Sequence, residues 1–272
     1  RLVTSGGFSG VHKASTFGLS VSAIASDAGG MERGGDGRAA RWKSDLPSPE
    51  AIGAEAGKRA VQRLGARKIA STTAPVIFEN RGAGMIFGAL IGAISGPSVA
   101  RGVSFLKEKL GQQIFSKSVT ITDDPHRRRG LGSSPFDDEG VANEAMKIVD
   151  EGVLTTWLLN TASARQLGLE TTGHASRGLA GPPGVSPCNL TLSPGEKDLS
   201  GLMGDASKGV LVTSMFGPSL NANTGDWSVG CSGFWFEDGE IAYPAMTAVQ
   251  VAALIEQRAK VEIEVTAVVP AD

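Results

Sequence analysis

The sequence predicts an α+β fold, and three observations lead there. Segments that alternate apolar and polar residues mix with segments of helical period, without the regular strand–helix–strand succession of a parallel sheet. Glycine is abundant, 37 of 272 residues, which favours tight turns and short connections. The stretch DWSVGCSGFWFEDGEIAYP reads as one long hairpin turning at Asp238-Gly239.

Taken in order, FGLSVSAIASD alternates Phe17, Leu19, Val21 and Ala23, which predicts a strand with one buried face. SPEAIGAEAGKRAVQRLG carries Ser48 as N-cap, Pro49 in the first turn, Ile52, Ala56, Ala60 and Leu64 on one face, and Gly65 as stop, which predicts a helix. APVIFE is a short strand, followed directly by a helix over about 81–95. SVARGVSFLKEKLG predicts a second helix, with Val99, Val103, Leu106 and Leu110 in register. SKSVTITDDP is a strand entering a turn, and residues 126–140 form a charged loop. MKIVDEGVLTTWLLN reads as two strands around Glu151-Gly152, TASARQLG as a short helix, and GVLVTSMFG as a strand. After the hairpin, a helix over 245–260 and the strand VEIEVTAVV close the chain. Two parts are expected: residues 1–46, the end of an N-terminal or central region, and 47–272, central helices with a β-rich C-terminal domain.

Composition limits the function. Charged residues are 20%, and the formal charge is −2, which argues against a general polyanion binder. The two cysteines, Cys188 and Cys231, form no CxxC pair, so no zinc or redox motif is present; such sparse usage fits a reducing cytosol. The opening RLVTSGGFSG has no apolar signal region and no initiator Met, which predicts a cytoplasmic chain whose first part is missing.

The stretch GAGMIFGALIGAISGPSVA, Gly82 to Ala100, is uncharged, and Gly84, Gly88, Gly92 and Gly96 recur every fourth residue. Its length approaches the ~20 apolar residues of a membrane span. However, five glycines, two serines and Pro97 leave it barely hydrophobic and would break it early. A buried helix of a globular protein is the better reading, with the glycine seam allowing close packing. No membrane association is expected.

Several stretches resemble the TldD/PmbA family, and within it the PmbA (TldE) branch: DLPSPEAIGAEAGKRAVQRL, APVIFE, VSFLKEKLGQQIFSKSVTITDDP, PFDDEG, EGVLTTWLLNTASARQLG, NLTLSPGE and NTGDWSVGCSGFWFEDGEIAYP. They run in family order over most of residues 8–244; the tail from Ala245 departs from the pattern. The resemblance implies a β-rich C-terminal domain with packed helices, the N-terminal α/β part being largely missing. In the TldD branch the helix after the APV strand carries a HExxxH metal motif. Its two histidines fall here at Phe87 and Gly92, and its glutamate at Gly88. The residues agree independently: two imidazoles about one turn apart can chelate zinc, and His12, His126 and His174 include no such pair.

What the resemblance implies is a heterodimeric, zinc-dependent, ATP-independent peptidase acting on unfolded peptides. This chain would lack catalytic and metal residues, and the zinc would sit in a HExxxH-bearing, TldD-like partner. In isolation the chain could also pair with itself as a homodimer, and the sequence leaves homo- and hetero-oligomer open. The family places the region of SLNANTGDWS near a substrate channel, which makes Asn221, Thr224 and Asp226 candidates for peptide contacts; equally, their side chains could bond their own backbone. Asp137, Asp138 and Glu139, of PFDDEG, are further channel candidates. Together with Asp123 and Asp124 they could bind a divalent cation, but turn and helix capping is the better reading of their spacing.

A second function class is a gyrase-modulating or nucleic-acid-binding module, suggested by an older family label. His126-Arg127-Arg128-Arg129 could touch phosphates, but it is short, lacks interleaved aromatics and sits between acidic clusters. GCSG, around Cys231, misses the spacing of a nucleophile elbow, and a packed small hydrophobe is expected there.

Overall fold

The computed structural model describes residues 1–251 and 263–264. In chain order the strands begin with β1 (Leu2–Val3), β2 (Ser9–Gly10), β3 (Phe17–Asp27) and β4 (Gly30–Ala40). Helix α1 (Pro49–Val61), β5 (Val76–Phe78), α2 (Ala83–Ala93) and α3 (Gly96–Ala100) follow. Then come β6 (Ile121–Asp123), β7 (Met146–Asp150), β8 (Val153–Leu154), α4 (Thr161–Leu167), β9 (Ala175–Ser176), β10 (Gly184–Val185) and β11 (Leu190–Leu192). The last elements are α5 (Leu199–Ala206), β12 (Gly209–Leu220), β13 (Trp227–Glu237), β14 (Glu240–Val251) and β15 (Ile263–Glu264). The class is α+β, rich in sheet. Two units result, each assembled from three separate stretches: Arg1–Phe17, Ala39–Asp45 and Gly88–Pro194 in the first, and Gly18–Arg38, Leu46–Phe87 and Gly195–Asp272 in the second.

The second unit is built on a five-stranded sheet in the order β15-β14-β13-β12-β5. Only β5 joins in parallel. Alternation sorts the residues to two faces. Val210, Val212, Trp227, Val229, Cys231, Trp235, Ala245 and Val249 form one core cluster. Leu211 and Phe236 turn the other way, onto Met203 of α5. Cys231 is therefore a packed core residue, as expected. The β13–β14 turn has Asp238 at φ 53° and Gly239 at φ 79°, the paired left-handed geometry that tight hairpins select. Helix α1 starts as expected, with Ser48 Oγ accepting from the Ala51 amide at 3.2 Å and Ile52, Ala56 and Ala60 buried, but it ends at Val61, so Leu64, half-buried, and Gly65 lie in the turn beyond it.

The first unit holds an antiparallel sheet, β11-β6-β7-β8. Ile121, Ile148, Val149, Leu154 and Leu158 are buried. Helix α4 carries a reciprocal cap between Asn160 and Ser163, and ends at Gly168, φ 67°. At Gly96 an added Cβ would lie 2.5 Å from Ser163 Oγ and 2.8 Å from the Leu158 carbonyl oxygen, so only glycine fits.

Four further expectations are corrected. The helix expected from SVARGVSFLKEKLG stops at Ala100. Gly102 takes φ 74°, and Ser104 Oγ donates to the Ala93 carbonyl at 2.5 Å while accepting from the Leu106 amide, so a side chain replaces the helical ladder. The expected apolar face splits: Leu106 is buried, whereas Val103 and Leu110 are exposed. The helix over 245–260 is a strand as far as Val251, because Ala245 and Val249 also satisfy a period of two and pair along β13; residues 252–260 lie outside the described residues. The final strand is seen at Ile263–Glu264, and the rest of that segment is likewise outside them. Strand β3 has no well-buried face: Leu19 and Ala23 are half-buried, and Val21 and Ile24 are exposed, since β3 pairs only with β4 in a two-stranded ribbon.

The fourth correction is the glycine seam. Leu90 and Ala93 bury one side of α2. A Cβ added at Gly84, Gly88 or Gly92 would meet nothing within 4 Å among the described residues. The seam expected to pack closely is open at these three positions and close-packed only at Gly96. No helix among the described residues is long and apolar enough to cross a membrane.

Candidate functional site: a helix without ligands and an arginine cleft

Strand β5 runs directly into α2, the strand–helix step on which the comparison with a HExxxH motif rests. Phe87 is half-buried, and Gly88 and Gly92 are exposed. A phenyl ring and two hydrogens supply no lone pair to a metal. The histidines are elsewhere: His174 is buried with Nε2 3.1 Å from Asp123 Oδ2 and Nδ1 2.8 Å from Thr172 Oγ1, and His126 Nε2 lies 2.9 Å from the Asn143 carbonyl. Among the described residues, no group of three or more His, Cys, Asp and Glu side chains is placed to hold a metal ion. The described residues do not fit a zinc site.

The carboxylates singled out in the sequence serve the backbone. Asp137 Oδ1 accepts from the Glu139 and Val141 amides, both at 2.9 Å, and Oδ2 from the Ala175 amide at 3.0 Å. Asp138 accepts from the Arg177 amide at 2.8 Å. Glu139 accepts from the Thr161 amide and hydroxyl at the first turn of α4. Asp123 accepts from the Cys188 amide at 2.7 Å and the Asn189 amide at 2.5 Å. In the β12–β13 turn, Asn221 Oδ1 accepts from the Asn223 amide at 3.0 Å, and the Thr224 hydroxyl donates to Asp226 at 2.6 Å. Both side-chain groups are turn-forming, and Asn221, Thr224 and Asp226 remain exposed.

Both thiols are free, Cys231 buried and Cys188 half-buried. Burial, then the charge of Asp123, pushes Cys188 up to about 11; burial alone pushes Cys231 up to about 11. In the charged loop, Arg129 pairs with Asp45 at 2.7 Å and lies over the Trp42 ring at 5.1 Å.

The sequence reading missed a cleft of about 560 Å³ in the second unit, walled by β3, β4, α1 and β12. Arg33, Arg38, Arg59, Arg63 and Arg81 line it. At its floor, Gly34 sits so close to α1 that a Cβ would lie 2.2 Å from the Ala60 nitrogen and 2.4 Å from the Ala56 oxygen. Arg59 bridges Glu55 and Glu79, both at 2.8 Å. Asp36, its side chain 5% exposed, takes Arg38 at 2.8 Å and also Arg81. Burial would raise Asp36, but the Arg81 hydrogen bond and charge, the Gly37 amide and Arg38 hold it below the usual carboxylate range. The signal was present in ERGGDGR, residues 32–38: glycines where a helix approaches, with arginines between them.

Two family models match the chain: the PmbA/TldA metallopeptidase central domain over residues 1–64, and the PmbA/TldA metallopeptidase C-terminal domain over 71–260. Metalloprotease PmbA of Escherichia coli O157:H7 is 42% identical over 226 residues, 83% of this chain and 48% of that one. The Metalloprotease PmbA homolog of Haemophilus influenzae is 37% identical over 85% of this chain and 49% of its own length. The chain thus spans about half the length of the curated relatives it matches. Among solved structures, a candidate modulator of DNA gyrase from Bacteroides thetaiotaomicron superposes with TM-score 0.83 at 30% identity, over 92% of this chain and 55% of that one. TldE from Thermococcus kodakarensis shares the fold at TM-score 0.78 and 21% identity, over 92% and 60%. By sequence and by fold, the chain belongs to the PmbA/TldD family of metallopeptidases.

Proposed function

We propose that this chain is the non-metal-bearing half of a two-subunit peptidase. A HExxxH-bearing relative supplies zinc and its activated water; this chain supplies surfaces that receive unfolded peptides. The observation that carries the reading is the helix α2, which has Phe87, Gly88 and Gly92 where the related motif has its ligands and base. Family membership supports the peptidase setting, and two reduced cysteines support a cytoplasmic one. Asn221, Thr224 and Asp226, exposed in their turn, stand as peptide contacts in this reading. A gyrase-modulating role, for which some solved relatives are named, finds little support in the basic loop, where Arg129 is already committed to Asp45 and Trp42.

The test is co-purification with a HExxxH-bearing relative, followed by metal analysis and cleavage of an unstructured peptide by each chain alone and by both together. The expected result is substoichiometric zinc and no cleavage for this chain, with both appearing in the pair. Stoichiometric zinc together with peptide hydrolysis in the isolated, homogeneous chain overturns the reading.

A further inference from the structure

The arginine cleft holds more positive charge than its own carboxylates neutralise. Five arginines line it, against Asp36 in its wall and Glu55 and Glu79, which pair with Arg59. Three of the five are committed to those carboxylates. Arg33 and Arg63 have no ion-pair partner among the described residues. Arg33 Nη2 donates to Ser22 Oγ at 3.2 Å, and Arg63 Nη1 donates to the Arg33 carbonyl at 2.9 Å. That last bond holds the Arg63 side chain against the backbone of β4 at Arg33, and both residues line the cleft. Each guanidinium has five N–H donors, so most of theirs are unused. Two such groups in a concave, polar setting suit an oxyanion, which a guanidinium fork grips through paired hydrogen bonds.

A second feature of the same cleft says what bears the anion. Strand β5 pairs with β12 only over Val210–Val212, and the Glu79 amide closes the ladder on the Val212 carbonyl at 2.8 Å. Beyond that point β12 continues to Leu220, and on this side it has no partner strand among the described residues. Thr213 and Ser214, the first residues past the end of β5, line the cleft. An extended backbone can add to such an edge through main-chain hydrogen bonds, without regard to its side chains. A free phosphate would use the arginines and leave the edge unused; the end of a peptide uses both.

We infer that this cleft binds the C-terminal carboxylate of an extended peptide, with Arg33 and Arg63 as donors and the free edge of β12 at Thr213-Ser214 as the seat of its last residues. The inference rests on the reading that the protein receives unfolded peptides, and it names the feature of the substrate that is recognised.

The experiment measures fluorescence anisotropy of a short unstructured peptide labelled at its N-terminus, prepared as free acid and as C-terminal amide, with the isolated chain. The acid binds at least about tenfold more tightly than the amide, and the preference weakens with added salt. Arg33→Gln/Arg63→Gln abolishes the preference while leaving the circular dichroism spectrum and urea midpoint unchanged. Should that pair of changes disturb folding, Arg33→Lys/Arg63→Lys keeps the charge, loses the fork and reduces the preference. Equal binding of acid and amide, or a preference that survives in the variants, overturns the inference. Inorganic phosphate that binds saturably, loses that binding in the variants and still leaves the acid peptide undisplaced overturns it too, and assigns the arginines to the free ion. Cleavage of both peptide forms by the two-subunit pair separates the readings. Cleavage without any acid preference in binding sinks the cleft alone; acid preference without cleavage sinks the subunit role alone.

Discussion

Asp123 illustrates how the acidic residues work. It is 1% exposed and takes the His174 ring and two backbone amides. Asp123→Ala leaves those donors without a partner in a dry site, and stability is expected to fall by about 3 kcal/mol, read from urea unfolding. The thiols give a second test at this scale. Cys188 and Cys231 hold their protons more tightly in the folded chain than in the unfolded one. Each therefore contributes stability that is fully present below the ordinary thiol value of 9.0 and is lost as the pH rises from there towards about 11. Iodoacetamide labelling of the native protein at pH 8 is expected to be at least about a hundredfold slower than that of an exposed cysteine. Fast labelling of Cys188 contradicts this account of its surroundings.

Glycine has opposite meanings in different elements. Gly34, in β4, lies against the backbone of α1, and a Cβ there would meet main-chain atoms at 2.2 and 2.4 Å. Gly34→Ala is expected to lose about 2 kcal/mol or more and to distort the arginine cleft. Gly53 and Gly57 of α1, and Gly88 and Gly92 of α2, have open space, so each change to Ala should raise stability by about 0.5–1 kcal/mol, seen as a higher urea midpoint. A loss at Gly88 or Gly92 would show that the seam is covered after all. Sequence alone could not separate these cases, because it gives glycine spacing and not what lies opposite. The hairpin at Asp238-Gly239 and the α1 cap at Ser48 were legible because the signals are local. The end of α3 and the identity of 245–251 were not, since Ser104 found the Ala93 carbonyl and β14 found β13 through distant contacts. The ligand-free helix was legible as a set of residue types. The cleft was not, because its arginines come from β4, α1, the turn just past α1 and the turn before α2, separated in sequence.

At the scale of the whole molecule, the lack of a ligand cluster among the described residues predicts a fold that does not lean on metal. Chelation by EDTA should leave the melting temperature unchanged, whereas a structural ion would lower it by several degrees. The route of the backbone has a practical outcome as well. It passes from one unit to the other five times, at residues 17–18, 38–39, 45–46, 87–88 and 194–195. No single cut separates the two units: a break between the first and last of these crossings leaves pieces of both on each fragment, and a break outside them still splits the unit in which it falls. Attempts to dissect the protein into autonomous fragments should give insoluble products, and a nicked chain should keep its parts together until it is denatured.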